Sequence, residues 1–131
     1  MILVDTCIWS EALRKSKSKN RGIVEKLTHV VSENQAAILG AIRQELLSGV
    51  KERKSFTKLK ESLNYFSDIV LSEQDYEVAA EYFNLCQKKG IQGSNTDFLI
   101  CSVANRLKIP IFTLDKDFTN FQKVLKIKLY S

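Results

Sequence analysis

Short apolar runs recur along this chain between longer stretches of helical periodicity, and two of them end on an aspartate. Met1 to Val4 runs into Asp5, and Pro110 to Leu114 runs into Asp115. Runs this short and this apolar read as strands buried on both faces, the pattern of a parallel sheet covered by helices. Ala36 to Leu39, Asp68 to Leu71 and Ile127 to Tyr130 are further strand candidates. The intervening stretches carry helical stripes: Thr6 to Leu13 with Ile8, Trp9, Ala12 and Leu13, then about Gly22 to Ser32 with Ile23, Leu27, Val30 and Val31. Ala41 to Val50 closes near Gly49, and Glu52 to Tyr65 continues the pattern through Phe56, Leu59, Leu63 and Phe66. Ser72 and Asp75 form a capping box for a long helix that reaches Lys89 and stops at Gly90. From Thr96, the residues Ile100, Val103, Ala104 and Leu107 keep helical spacing. The expected fold is α/β, a mainly parallel central sheet flanked by helices, and 131 residues make one domain, 1–131.

Composition narrows the chemistry. An apolar fraction of 44% is that of a globular chain, and no apolar run approaches a membrane span or a signal-peptide core. A cytoplasmic protein without a membrane partner is expected. Cys7, Cys86 and Cys101 are odd in number and scattered in apolar or helical surroundings, so buried reduced thiols are expected rather than disulfides or zinc ligands. The single histidine, His29, has no obvious chemical partner and reads as structural. The net charge is +5, with one basic run at Arg14, Lys15, Lys17, Lys19 and Arg21 and another at Lys51, Arg53, Lys54, Lys58 and Lys60. Such runs attract nucleic-acid phosphates, and they also occur as plain solvated faces.

Ligands of an open α/β sheet bind beyond the carboxyl ends of its strands. Asp5 and Asp115 stand there, Asp97 opens the helix leading into the Asp115 strand, and Glu45 follows strand two beside the apolar stripe of Ile42 and Leu46. Each has an ordinary reading: Asp5 as a helix N-cap, Asp97 as a dipole partner, Asp115 as a turn residue and Glu45 as a solvated helix residue. Convergence of all four on one sheet edge favours a shared role. Clustered carboxylates repel unless a divalent cation holds them, and oxygen ligands suit Mg²⁺ or Mn²⁺ better than zinc.

The segments I-L-V-D-T-C-I-W, R-Q-E-L-L-S-G, S-N-T-D-F-L-I-C-S-V-A and I-F-T-L-D-K-D-F, in this order over nearly the whole chain, resemble PIN domains, most closely the VapC-type toxins of toxin–antitoxin pairs. The resemblance implies a PIN-like three-layer fold and a metal-dependent endoribonuclease with Asp5, Glu45, Asp97 and Asp115 as its acidic set. Asp117 matches an accessory acid, and Thr6 and Thr113 match hydroxyl positions that orient the cluster. On this reading Asp5 and Asp97 bind metal directly, and Glu45 and Asp115 bind through water or hold a second ion. Gly40 and Ala41 depart from the Ser or Thr often found after strand two, which leaves the contacts supporting Glu45 open. Cys7 stands where Ser is commoner.

The resemblance also implies an RNA substrate, a homodimer and a cognate antitoxin. Ile8, Trp9 and Leu13, with Phe56, Leu59 and Leu63, are candidates for the antitoxin's groove. Trp9 reads equally as an interface anchor or as core. The basic run at Arg14, Lys15, Lys17, Lys19 and Arg21 is the expected RNA-backbone contact. Two other classes stay open. An aspartyl-phosphate phosphatase or phosphotransferase using the aspartate after strand one is one, although Asp5 is followed by Thr6 and Cys7 and lacks the D-x-D-x-T arrangement there. The other is a non-catalytic module binding RNA or a partner.

Overall fold

The computed structural model describes residues 1–13 and 20–131. Its sheet has three parallel strands in the order β2-β1-β3, with β1 at Ile2–Val4, β2 at Ala36–Ala37 and β3 at Ile111–Phe112. Leu3 sits between Ala37 and Ile111, so the first strand is the central one. A central parallel strand is covered on both faces, which is why Ile2, Leu3 and Val4 are all buried with no polar alternation.

Two expected strands shrink to single bridges at the sheet edges: Ile38 pairs with Asp68, and Ile111 pairs with Leu129, both in parallel. Competing hydrogen bonds explain the loss. The carbonyl of Val70 accepts from Arg106 Nη2 at 3.3 Å, and Ser72 already belongs to a helix cap, so Asp68 to Leu71 leaves the sheet after one contact. Ile127 bonds through its N–H to Leu125 O, and its carbonyl accepts from Gln122 Nε2, which removes it from the ladder before Leu129.

The helices are α1 (Thr6–Leu13), α2 (Arg21–Ser32), α3 (Gly40–Leu47), α4 (Arg53–Leu63), α5 (Glu73–Lys88), α6 (Asn95–Leu107) and α7 (Asp117–Gln122). Six of them follow the apolar stripes. Gly49 and Gly90 take the positive φ values, 87° and 73°, at which glycine ends α3 and α5 without strain. The short α7 was not expected: turn chemistry was read only at Asp115 to Asp117, and the residues after it were assigned no element. Phe118 and Phe121, one turn apart, are fully buried by it. Their rings extend an aromatic chain from Phe83 on α5 through Phe98 on α6, with successive centroids 4.9 to 5.6 Å apart. No helix among the described residues is long and apolar enough to cross a membrane.

Trp9 belongs to the core. It is 4% exposed, its Nε1 donates to Val4 O at 3.1 Å, and its ring meets the edge of Phe66. Ile8 and Leu63 are buried as well, so of the residues proposed for a docking groove only Leu13 and Phe56 are exposed. The apolar stripe of α1 faces its own domain because α1 packs against α2 and α3.

α5 and α6 are locked by one ion pair. Asp75 is buried, and Arg106 Nε and Nη2 donate to its two carboxylate oxygens at 2.6 and 3.0 Å. Burial opposes ionisation of Asp75, but Arg106 and the Ser72 N–H outweigh it and hold the carboxyl below its usual range. Arg106→Ala should lower stability by about 2 kcal/mol near neutral pH, less than a fully buried pair because the Arg106 side chain is 41% exposed. A carboxyl with a lowered folded pKa contributes its stability above the ordinary value and loses it as the pH falls through its own lower one. The difference in Tm between variant and wild type should therefore shrink in acid, below about pH 4. A difference that stays constant down to pH 2 would remove Asp75 from this role.

Candidate functional site

Parallel strands place the carboxyl ends of β1 and β3 side by side, and the chain leaves both ends through polar residues. Asp5 directly follows β1 and is 6% exposed despite its charge. Its two oxygens are separately held. Oδ1 accepts from the Thr6 N–H at 2.7 Å, and Oδ2 accepts from Thr113 Oγ1 at 2.8 Å and from Cys7 Sγ at 3.4 Å. None of these contacts is the N-cap bond expected of Asp5, which would accept from the N–H of Cys7 or Ile8.

Two threonines carry the links outward. Thr6 Oγ1 donates to Glu45 Oε1 at 3.0 Å, tying α3 to the start of α1. Thr113 Oγ1 accepts from the Asp115 N–H at 2.9 Å while donating to Asp5, and Asp115 Oδ1 accepts from the Asp117 N–H at 2.9 Å. Asp5, Glu45, Asp115 and Asp117 thus join in one hydrogen-bonded series through Thr6 and Thr113. Glu45 itself is exposed rather than set in the apolar stripe of Ile42 and Leu46, so burial was the wrong reason for singling it out. The side-chain support left open by Gly40 and Ala41 comes from Thr6.

Asp97 reaches the same edge by a different route. It is the third residue of α6, and it closes a capping box in which Ser94 N donates to Asp97 Oδ2 and Asp97 N donates to Ser94 Oγ. The S-x-x-D spacing of residues 94–97 repeats that of residues 72–75, so Ser94 was legible beforehand. Asp75, in the corresponding place on α5, is paired with arginine. Among the described residues no lysine or arginine pairs with Asp97, Asp5, Glu45 or Asp115. Burial raises the Asp97 carboxyl above its ordinary value; the Ser94 bonds work against this, and the charges of Asp5 and Asp115 add to it. Two like helix starts thus hold carboxylates in opposite electrostatic settings.

The position of Asp97 depends on close packing just before it. A Cβ added to Gly93 would lie 2.5 Å from Phe121 Cζ, inside the contact between α7 and the start of α6. Glycine lets the aromatic chain seat the first turn of α6 beside α7, which Asp115 precedes and Asp117 begins.

Cys7 was expected as a buried thiol in apolar or helical surroundings; it lies on α1 but is only half-buried, in this polar site. Its Sγ accepts from the Leu114 N–H at 3.3 Å and lies 3.5 Å from Thr113 Oγ1. Burial, aided by the neighbouring Asp5 charge, pushes the thiol up against the opposing bonds from Leu114 and Thr113, which keeps it a neutral donor to Asp5. Cys86 and Cys101 are buried and free as expected.

The donor set is all oxygen and net acidic, which suits a hard divalent cation in kind. Among the described residues, no three His, Cys, Asp or Glu side chains are gathered tightly enough to hold an ion as they stand. Of the basic run, Arg21 is exposed at the start of α2, while Arg14, Lys15, Lys17 and Lys19 lie outside the described residues. Lys51, Arg53, Lys54, Lys58 and Lys60 are exposed on α4 and just before it.

A family model described as the PIN domain matches residues 2–124. Among solved structures, FitAcB from Neisseria gonorrhoeae is similar over 100% of this chain and 97% of its own, at 20% identity and a TM-score of 0.79. VapBC2 from Rickettsia felis, bound to a DNA fragment from its promoter, is similar over 99% and 98%, at 21% identity and a TM-score of 0.77. A toxin–antitoxin complex from Klebsiella pneumoniae is similar over 90% of each chain, at 22% identity and a TM-score of 0.67. No curated protein matches the chain. At these identities the solved structures establish a shared fold.

Proposed function

The chain belongs to the PIN domain family, and from that premise we propose that it is a divalent-metal-dependent endoribonuclease, the cytoplasmic toxin of a toxin–antitoxin pair, working as one domain over residues 1–131. The observation that carries the proposal is the hydrogen-bonded series of Asp5, Glu45 and Asp115 through two threonines, together with Asp97 held by the capping box of α6. Four acids with no basic partner among the described residues make an electrostatic setting that a cation would relieve.

Asp5 and Asp97 would hold Mg²⁺ or Mn²⁺ directly, with Glu45 and Asp115 bound through water or to a second ion. When bound, the metal supplies an activated water near neutral pH and a clamp on the scissile phosphate. Thr113 fixes the orientation of Asp5 and steadies the turn at Asp115. Thr6 holds the Glu45 carboxylate toward Asp5, where Glu45 or Asp115 can accept the proton of an attacking water. Asp117 braces Asp115 through its own N–H. Arg21 and the basic residues of α4, with Arg14, Lys15, Lys17 and Lys19, would track the RNA backbone as phosphate contacts without base preference.

The aspartyl-phosphate alternative asks Asp5 to attack phosphorus. Asp5 is followed by Thr6 and Cys7 and lacks the second aspartate that such chemistry places two residues on. The partner half of the proposal draws on the Klebsiella pneumoniae neighbour, which is a toxin–antitoxin complex. A homodimer and a cognate antitoxin complete it.

The test is cleavage of an RNA with single-stranded loops. Cuts are expected with Mg²⁺ or Mn²⁺ and none after chelation; intact RNA with both metals would overturn the nuclease. Expression of the chain alone should arrest growth, and co-expression of the neighbouring antitoxin should relieve the arrest. A harmless, monomeric protein that recovers no partner by pull-down would overturn the toxin role and leave the chemistry standing.

A further inference from the structure

Near the N-terminal end of α6, facing α5, lies a cavity of about 330 Å³ lined by Tyr76, Ala79, Ala80, Asn95, Thr96 and Leu99. Ala79 and Leu99 are nearly buried and form an apolar floor, while Tyr76 is 57% exposed. Among the described residues, the Tyr76 ring and hydroxyl and the side chains of Asn95 and Thr96 have no hydrogen-bond or ring partner. Farther along the same two helices, the same residue types close on each other: Asn105 Nδ2 donates to the Tyr82 hydroxyl at 2.8 Å. At the Tyr76 end, the pair stays apart with the cavity between.

Asn95 and Thr96 immediately precede Asp97 on the first turn of α6. An occupant of the cavity therefore sits on the helix turn that brings Asp97 to the acidic edge. We infer that this cavity receives one unpaired nucleobase of the RNA substrate, stacked on Tyr76 and read by the side chains of Asn95 and Thr96. The inference rests on the ribonuclease reading and adds to it the source of base preference.

The chemistry fits such an occupant. Sequence-selective RNA recognition uses unstacked bases laid on aromatic rings and bonded along their edges. An asparagine amide offers both donors and an acceptor, and a threonine hydroxyl can do either, so together they distinguish one base edge from another. Cavities of about 300 Å³ are large enough for small ligands. A purely apolar occupant would cover these polar side chains without pairing them, which is unfavourable.

The experiment titrates the full chain, and its Tyr76→Ala, Tyr76→Phe and Asn95→Ala variants, with four homopolymeric oligoribonucleotides. Fluorescence anisotropy is read with chelator present, so that no strand is cut. Cut positions are then mapped with Mg²⁺ on one RNA of mixed sequence. Tyr76→Ala should weaken binding of the preferred homopolymer about tenfold, the usual order of loss when a stacking aromatic is removed, and Tyr76→Phe should stay close to wild type. Asn95→Ala should even out the four affinities and spread the cuts over more bases. Wild-type affinities and cut sites in both Tyr76→Ala and Asn95→Ala would overturn the inference while leaving the nuclease intact. A change confined to oligomeric mass would also overturn it, because the cavity would then belong to an interface between copies. Wild-type protein that neither binds nor cuts any RNA would overturn the ribonuclease reading, and the occupant with it.

Discussion

Asp5→Asn is expected to lower RNA cleavage by at least about a hundredfold while leaving the fold intact, a loss of roughly 2.7 kcal/mol of transition-state stabilisation. The substitution is nearly isosteric. The Thr6 N–H can still donate to the amide oxygen, and the Thr113 hydroxyl, with two lone pairs, can accept from the amide nitrogen while still accepting from Asp115 N. Packing around this 6%-exposed position is therefore kept; the charge is removed, and with it the acceptor for the Cys7 thiol. The charge is what a directly bound cation requires of Asp5. Full activity in a variant with an unchanged circular dichroism spectrum would end the assignment of Asp5 as a metal ligand.

Asp97→Asn should separate stability from function. Asp97 ionises against burial and against Asp5 and Asp115, so its folded pKa is raised. For an acid with a raised folded value, the sign is a penalty: absent below the ordinary value of 3.8, complete above the raised one. An asparagine keeps the bond from Ser94 N and avoids the penalty. In chelator near neutral pH the variant should melt no lower than wild type. Saturating Mg²⁺ or Mn²⁺, at about a hundred times the dissociation constant, should stabilise the wild type by about 2.7 kcal/mol and the variant far less. Cleavage should fall by at least about a hundredfold in the variant. Equal metal-induced shifts in Tm for the two proteins would take Asp97 out of the metal site.

The helices were legible because an amphipathic stripe is a local property, and those of α1, α2 and α5 lie within about a residue of the expected bounds. The edge strands were not. Asp68 to Leu71 and Ile127 to Tyr130 have strand-like composition, but a strand requires a partner along its length, and Arg106 and Gln122 take the carbonyls that such pairing needs. Trp9 was ambiguous for the same reason, since a stripe does not say whether it meets its own domain or another.

By itself, the sequence determined the α/β class, the first-strand and third-strand aspartates, and the acidic character of the edge where they emerge. Those follow from patterns within a few residues. Only the tertiary structure decided which carboxylates share a field and what holds them. Thr6 and Thr113 reach partners 39 and 108 residues away in the chain. Asp75 and Asp97 begin their helices with the same box, and only packing gives one an arginine and the other two more acids. Local spacing sets a side chain's conformation, whereas its charge environment sums over everything the fold brings near.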